Sequence, residues 1–288
     1  MVWLGARRGE LVDWVTQRWV QLTGRRIELA SAPWLEGPTG SVHGIGPDFF
    51  DTFAQRRGLA VLPPSDEAGL VDGLHALASP RFDPTTVAPA IDDFYGHTAA
   101  FDLTIHSRWA GPFRLVGWLI AWLFARRLAQ LNMPLSDREL RGGVESRIVR
   151  LADADGVVRH TGWVRTAVET GRPVFVGQYG TTTIPGHEGP CIKVVFPLPN
   201  GNAIVVLRPR VDDGGGLSLV SDGRAFGDPG FYFTVVAEPG QVWVRYVPTM
   251  KEQLHLRADG DVVSAEHHFR VFGMRFLTLQ YRILRKAK

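Results

Sequence analysis

From Gly143 onward the chain carries no long helical period, and this limits its fold more than any other feature. Short apolar runs occupy 144–151, 157–168, 172–183, 191–197, 202–208, 216–221, 230–237, 241–247, 251–258, 261–272 and 274–283. Turn residues bound them. Asp155-Gly156, Asn200-Gly201 and Asp259-Gly260 are hairpin dipeptides between apolar runs. The glycines of 213–216 and the Glu238-Pro239-Gly240 step supply further turns. Strands joined by tight turns are antiparallel. So many in succession predict a mainly β (α+β) protein: an antiparallel, lipocalin-like β-barrel or a strongly curved sheet. The last run reaches residue 283, which argues against a sheet filled by a C-terminal helix.

Residues 1–98 have a different texture, that of helices and loops. Leu11, Trp14, Val15 and Leu22 repeat at helical spacing, and Gly24 stops the run. Asp48 to Arg57 reads as a short helix with Phe49, Phe50 and Phe53 inward. Ser65 is an N-cap candidate for a helix running to Ala78, with Asp66 and Glu67 suiting its first turn. A further short helix follows Pro89, to Gly96. Strand alternation begins near Ala99, where Phe101, Leu103 and Ile105 alternate with Asp102, Thr104 and His106. One helix, 113–131, interrupts the 99–288 β region. Ile192 to Phe196, Ala203 to Leu207 and Phe231 to Val236 are apolar on both faces, so both faces are covered. The helical 1–98 region is therefore expected to pack on the β region as one structural unit.

Composition removes several classes of function. Cys191 is the single cysteine, which excludes an internal disulfide framework and a thiolate metal site. The net charge is only +3, and the basic residues form no stripe, so no nucleic-acid partner is expected. The scarcity of lysine against arginine reads as a coding bias. The start of the chain lacks a secretory apolar core, and the apolar stretch 113–124 is too short to span a bilayer. A cytoplasmic protein is expected. Trp118 and Trp122, beside Arg114, Arg126 and Arg127, allow peripheral membrane contact.

No nucleophile elbow, zinc-protease motif, phosphate-binding loop or dinucleotide fingerprint is present. His267 and His268 are adjacent on a strand and point to opposite faces, and His187-Glu188 has no further ligand at metal spacing, so no metal is expected. No cofactor is expected either. Asp102, Thr104 and His106 share one strand face, where a carboxylate could orient an imidazole for acid–base work. An ordinary exposed polar face is the competing reading. His267 interrupts the apolar face Val263, Ala265, Phe269, Val271. The candidate catalytic residues are therefore Asp102, His106 and His267. Tyr95 and His97 precede the first strand, at an expected mouth. Tyr232 follows a rim turn, Gln280 and Arg282 lie on a mixed strand face, and Trp118 offers an apolar wall; these six are the candidate substrate-binding residues.

The function expected is a cofactor-independent enzyme that folds a hydrophobic small molecule, a cyclase or isomerase of a polyketide- or terpenoid-like substrate in natural-product biosynthesis. The alternative is a non-catalytic carrier of a lipid-like ligand.

Overall fold

A computed structural model describes residues 11–40, 45–110, 143–171 and 173–287. The N-terminal part supplies α1 (Leu11–Thr23), β1 (Arg25–Glu28), α2 (Phe49–Arg57), β2 (Ala60–Val61), α3 (Pro89–Gly96) and β3 (Phe101–Trp109). The strands that follow are β4 (Val144–Ala152), β5 (Val158–Ala167), β6 (Pro173–Thr182), β7 (Cys191–Leu198), β8 (Gly201–Asp212) and β9 (Gly216–Val220). The chain ends with β10 (Phe231–Glu238), β11 (Gln241–Tyr246), β12 (Met250–Asp259), β13 (Val262–Val271) and β14 (Met274–Arg285). Every apolar run read from the sequence after Gly143 is a strand. The expected 113–131 helix lies outside the described residues.

All the ladders are antiparallel, in the order β2-β4-β5-β6-β7-β8-β9-β12-β13-β14-β3. The sheet forks at β8. Gly201 to Val205 pair with β10, which leads to β11 and β1, whereas Arg208 to Asp212 pair with β9. The sheet curves until β3 and β4 come into contact, yet no ladder joins them among the described residues. The sheet is therefore not closed. Among the described residues one edge of β3 has no partner strand, and β4 is capped only at Leu151 and Ala152, by the two-residue β2.

Alternation along β8 shows how the sheet is covered. Val205 and Leu207 face the concave side, where they pack with Leu70, Leu74, Phe82, Ile91 and Phe94. Ile204 and Val206 face the convex side, with Trp34, Leu35, Tyr232 and Val244. A second convex layer is α2, whose Phe49, Phe50 and Phe53 cover Val149, Val164 and Val176. Gly162 permits this contact, because a Cβ there would strike the Phe50 ring. Fully burying a side chain of this size contributes roughly 1.5–3 kcal/mol, so the three apolar layers dominate the stability.

The expected helix at 65–78 does not form. Its residues run as turns, with one short 3-10 turn at Leu74–Leu77. Gly69 lies against the Tyr95 and Gly96 backbone, and Leu70 N donates to Tyr95 O at 2.9 Å. Packing against α3 thus outweighs weak helical preference in a segment with Gly69 and Gly73. Ser65 Oγ does accept the Glu67 amide, at 3.1 Å, but as a local turn.

Candidate polar site on the concave face

Strand alternation places several polar groups on the otherwise apolar concave side. On β5, Arg165 shares a face with Trp163, and its guanidinium lies 5.1 Å from the Trp163 ring centre. On β6, Tyr179 stands 5.5 Å from Trp163, ring to ring. On β12, β13 and β14, Glu252, His267 and Tyr281 point the same way as the core residues Leu256, Ala265 and Ile283. Tyr95 reaches in from α3. It sits 5.3 Å from Phe94 and is buried.

The group contains one close imidazole–carboxylate contact. His267 Nε2 lies 3.2 Å from Glu252 Oε2, and Glu252 is 6% exposed. With Nε2 donating to the carboxylate, Nδ1 is left as the basic nitrogen of the ring. The His267 ring packs at a tilt of 36° against Phe269, with centres 4.0 Å apart, and stands 6.4 Å from Tyr281. A histidine held in one tautomer by a buried carboxylate is the arrangement that general-base chemistry uses.

The tyrosines stay protonated. Burial pushes the Tyr281 phenol up to about 12; the Arg165 charge opposes this and the Glu252 charge adds to it. Burial raises Tyr179 and Tyr95 well above the phenol range, with neighbouring tyrosines reinforcing the effect. All three phenols are therefore hydrogen-bond donors at neutral pH. Tyr179, Tyr281, His267, Phe175 and Phe196 are only half-buried, so the concave face keeps accessible surface beside them.

Two of the residues singled out from sequence, His267 and Tyr95, stand in this group. Four others are brought together elsewhere. Asp102 and His106 lie on the exposed face of β3; His106 is opposite Gln280, and Thr104 is opposite Arg282, across the β14 ladder. That is the convex face. There Gln280 Nε2 donates to Glu266 at 3.0 Å. His97 caps α3 and contacts Asp93 at 2.8 Å and Glu67 at 3.3 Å. Tyr232 is a convex-core residue whose hydroxyl donates to Asp228 O at 2.5 Å. Trp118 lies outside the described residues.

Sequence reading missed Arg165, Tyr179, Glu252 and Tyr281. A signal existed for two of them. Arg165 is a charge on the face of Trp163 and Ala167, and Tyr281 shares its face with Leu277, Leu279 and Ile283. Glu252 gives no such signal.

A second cluster has the composition of a hydrolytic triad but not its geometry. Ser218 Oγ donates to Asp212 and also lies 2.6 Å from His255 Nδ1, while Asp212 lies 3.4 Å from the same nitrogen. A triad needs the serine and the acid on opposite ring nitrogens. Ser218 is also buried, so the trio ties β8, β9 and β12 together. Among the described residues, no three His, Cys, Asp or Glu side chains are grouped to hold a metal ion. No helix among them is long and apolar enough to cross a membrane.

No family model matches the chain, and no solved structure matches it. It is similar to a Bacillus subtilis (strain 168) protein named "Uncharacterized membrane protein YndJ", with 29% identity over 223 residues. The match covers 75% of this chain but only 38% of the relative, so the chain spans well under half of that protein.

Proposed function

We propose that the concave face binds an apolar small molecule and that His267, oriented by Glu252, moves a proton on it. In this reading the curved sheet serves as a lipocalin-like enclosure for a cofactor-independent isomerase or cyclase. A polyketide- or terpenoid-like substrate, as in natural-product biosynthesis, suits its apolar walls. The observation that carries the reading is the His267–Glu252 pair, its carboxylate buried, on an apolar face. His267 Nδ1 takes a proton from carbon beside a carbonyl, and the Tyr281 hydroxyl donates to the oxygen as charge develops there. The same proton, returned from the imidazolium to another carbon, gives an isomer with no net gain or loss of atoms.

Organic extraction of the purified protein, followed by mass spectrometry, tests binding: an apolar compound at near-stoichiometric amount is expected. Returned to emptied protein, that compound should be converted by the wild type. His267→Gln should bind it equally well and convert it at least about a hundredfold more slowly. Unchanged conversion by His267→Gln contradicts the catalytic assignment.

A carrier of a lipid-like ligand is the second reading. The similarity to a protein named as a membrane protein favours it. A cytoplasmic setting with peripheral membrane contact would suit such a carrier. The wild type would then release the compound unchanged.

A further inference from the structure

Arg165 is 4% exposed, and among the described residues it is the one lysine or arginine in the buried interior. Its Nε and Nη2 atoms are buried without a hydrogen-bond partner. The Trp163 ring offers a cation–π contact at 5.1 Å, which saturates none of the N–H donors. Glu252, the buried carboxylate of the group, is engaged by His267. A guanidinium taken out of water without a counter-ion is costly, and it persists where an anion completes the site. Tyr179 and Tyr281 lie within reach of its charge, and Tyr95 lies within reach of both tyrosines. Burial keeps all three phenols protonated, so they add donors and no negative charge.

We infer that Arg165, with Tyr179 within reach of its charge, is the receptor for a carboxylate, so that the ligand of the concave face is an apolar monocarboxylic acid. The inference rests on the reading that this face binds an apolar molecule, and it adds the chemical class. One cation matches one negative charge. A phosphate monoester, with nearly two charges at neutral pH, would leave one of them unmatched in an apolar surround. The planar fork of a guanidinium also fits a carboxylate through two parallel hydrogen bonds.

Calorimetric titration of the full chain with dodecanoic acid, dodecanol and dodecyl phosphate tests this. The acid should bind at least about tenfold more tightly than the alcohol or the phosphate ester, as expected for a charge-assisted pair. Arg165→Gln should bring the acid down to the alcohol's affinity and leave the alcohol unchanged. Tyr179→Phe should weaken the acid severalfold and the alcohol hardly at all, which keeps the test decisive if Arg165→Gln fails to fold. Equal binding of acid and alcohol by the wild type overturns the inference, and so does tightest binding of the phosphate ester. Failure of all three probes to bind instead overturns the reading of the concave face as an apolar site.

Discussion

His267 and Glu252 meet diagonally across the β12–β13 ladder. Glu252 is paired with Phe269 and His267 with Leu254, yet the imidazole leans back to put Nε2 3.2 Å from the Glu252 carboxylate. Diagonal neighbours on one sheet face lie within reach of long side chains. The contact is thus set by register, and it puts a buried carboxylate beside a half-buried imidazole on an otherwise apolar face. If the pair works as a unit, its two members are not independent. Glu252→Gln and His267→Gln should each slow conversion of the bound ligand, and the double variant should be little worse than His267→Gln. Multiplying losses in the double variant would show that the two side chains act separately.

Arg165 illustrates a conflict between stability and binding. Replacing a buried, unpaired guanidinium by an apolar side chain of similar length removes a desolvation cost. Arg165→Met should unfold at a temperature equal to or above that of the wild type in the absence of ligand. A clear drop in Tm would mean that Arg165 is a structural element of the β5 face.

The hairpin tip at Phe272 is strained. Phe272 has φ 50° and is 73% exposed, ahead of Gly273 at φ 79°. Left-handed backbone costs a bulky residue roughly 1–2 kcal/mol, and asparagine tolerates it well. Phe272→Asn should therefore raise Tm by about 2–4 °C. A lower Tm would show that the Phe272 ring contributes packing.

Burial holds three histidines below the ordinary imidazole range. For His160 burial is the main cause, partly offset by its ring N–H donating to Gln178 Oε1 at 2.9 Å. His187 and His268 are lowered by burial and by nearby arginines. The folded protein keeps these rings neutral, whereas the unfolded chain takes up protons below about pH 6.5. Stability should therefore fall as the pH drops from about 6.5 toward the depressed values. The lowered Asp153 and Asp228 carboxyls lose their contribution only below about pH 4. Tm should decline between about pH 7.5 and 5.5, and His160→Gln should shrink that decline. An unchanged Tm across the interval would contradict the assignment.

Cys191 is buried in the convex cluster that also holds Ile204 and Val206, and burial pushes its thiol up to about 12. Ellman's reagent at about pH 8 should leave the folded protein unmodified and react at once in denaturant. Fast reaction of the native protein would place the β7 start at the surface.

The strands were legible because alternation and turn dipeptides are local. Asn200, at φ 59°, and Gly260, at φ 56°, adopt the conformations those dipeptides imply. The fork at β8 was not legible. It depends on Gly201 to Val205 pairing with β10 while Arg208 to Asp212 turn to β9, a choice made by contacts distant in sequence. The same holds for the facing of β14. Both of its faces carry apolar residues, and only the ladder with β3 shows that Tyr281 points inward with Ile105, leaving Gln280 and Arg282 outside. His267 stood out because a lone imidazole on an apolar face breaks a pattern. Its partner Glu252 lies on another strand, and no spacing in the sequence announces it.

Proton transfer by His267 is the central claim, and hydrogen exchange into the bound ligand measures it without knowledge of the product. The co-purified compound is returned to emptied protein in deuterated water and examined by mass spectrometry. The wild type should place deuterium on carbon of the compound, and His267→Gln should not, although both bind it equally. Deuterium uptake that is the same in the two proteins, or absent from both, would contradict the account.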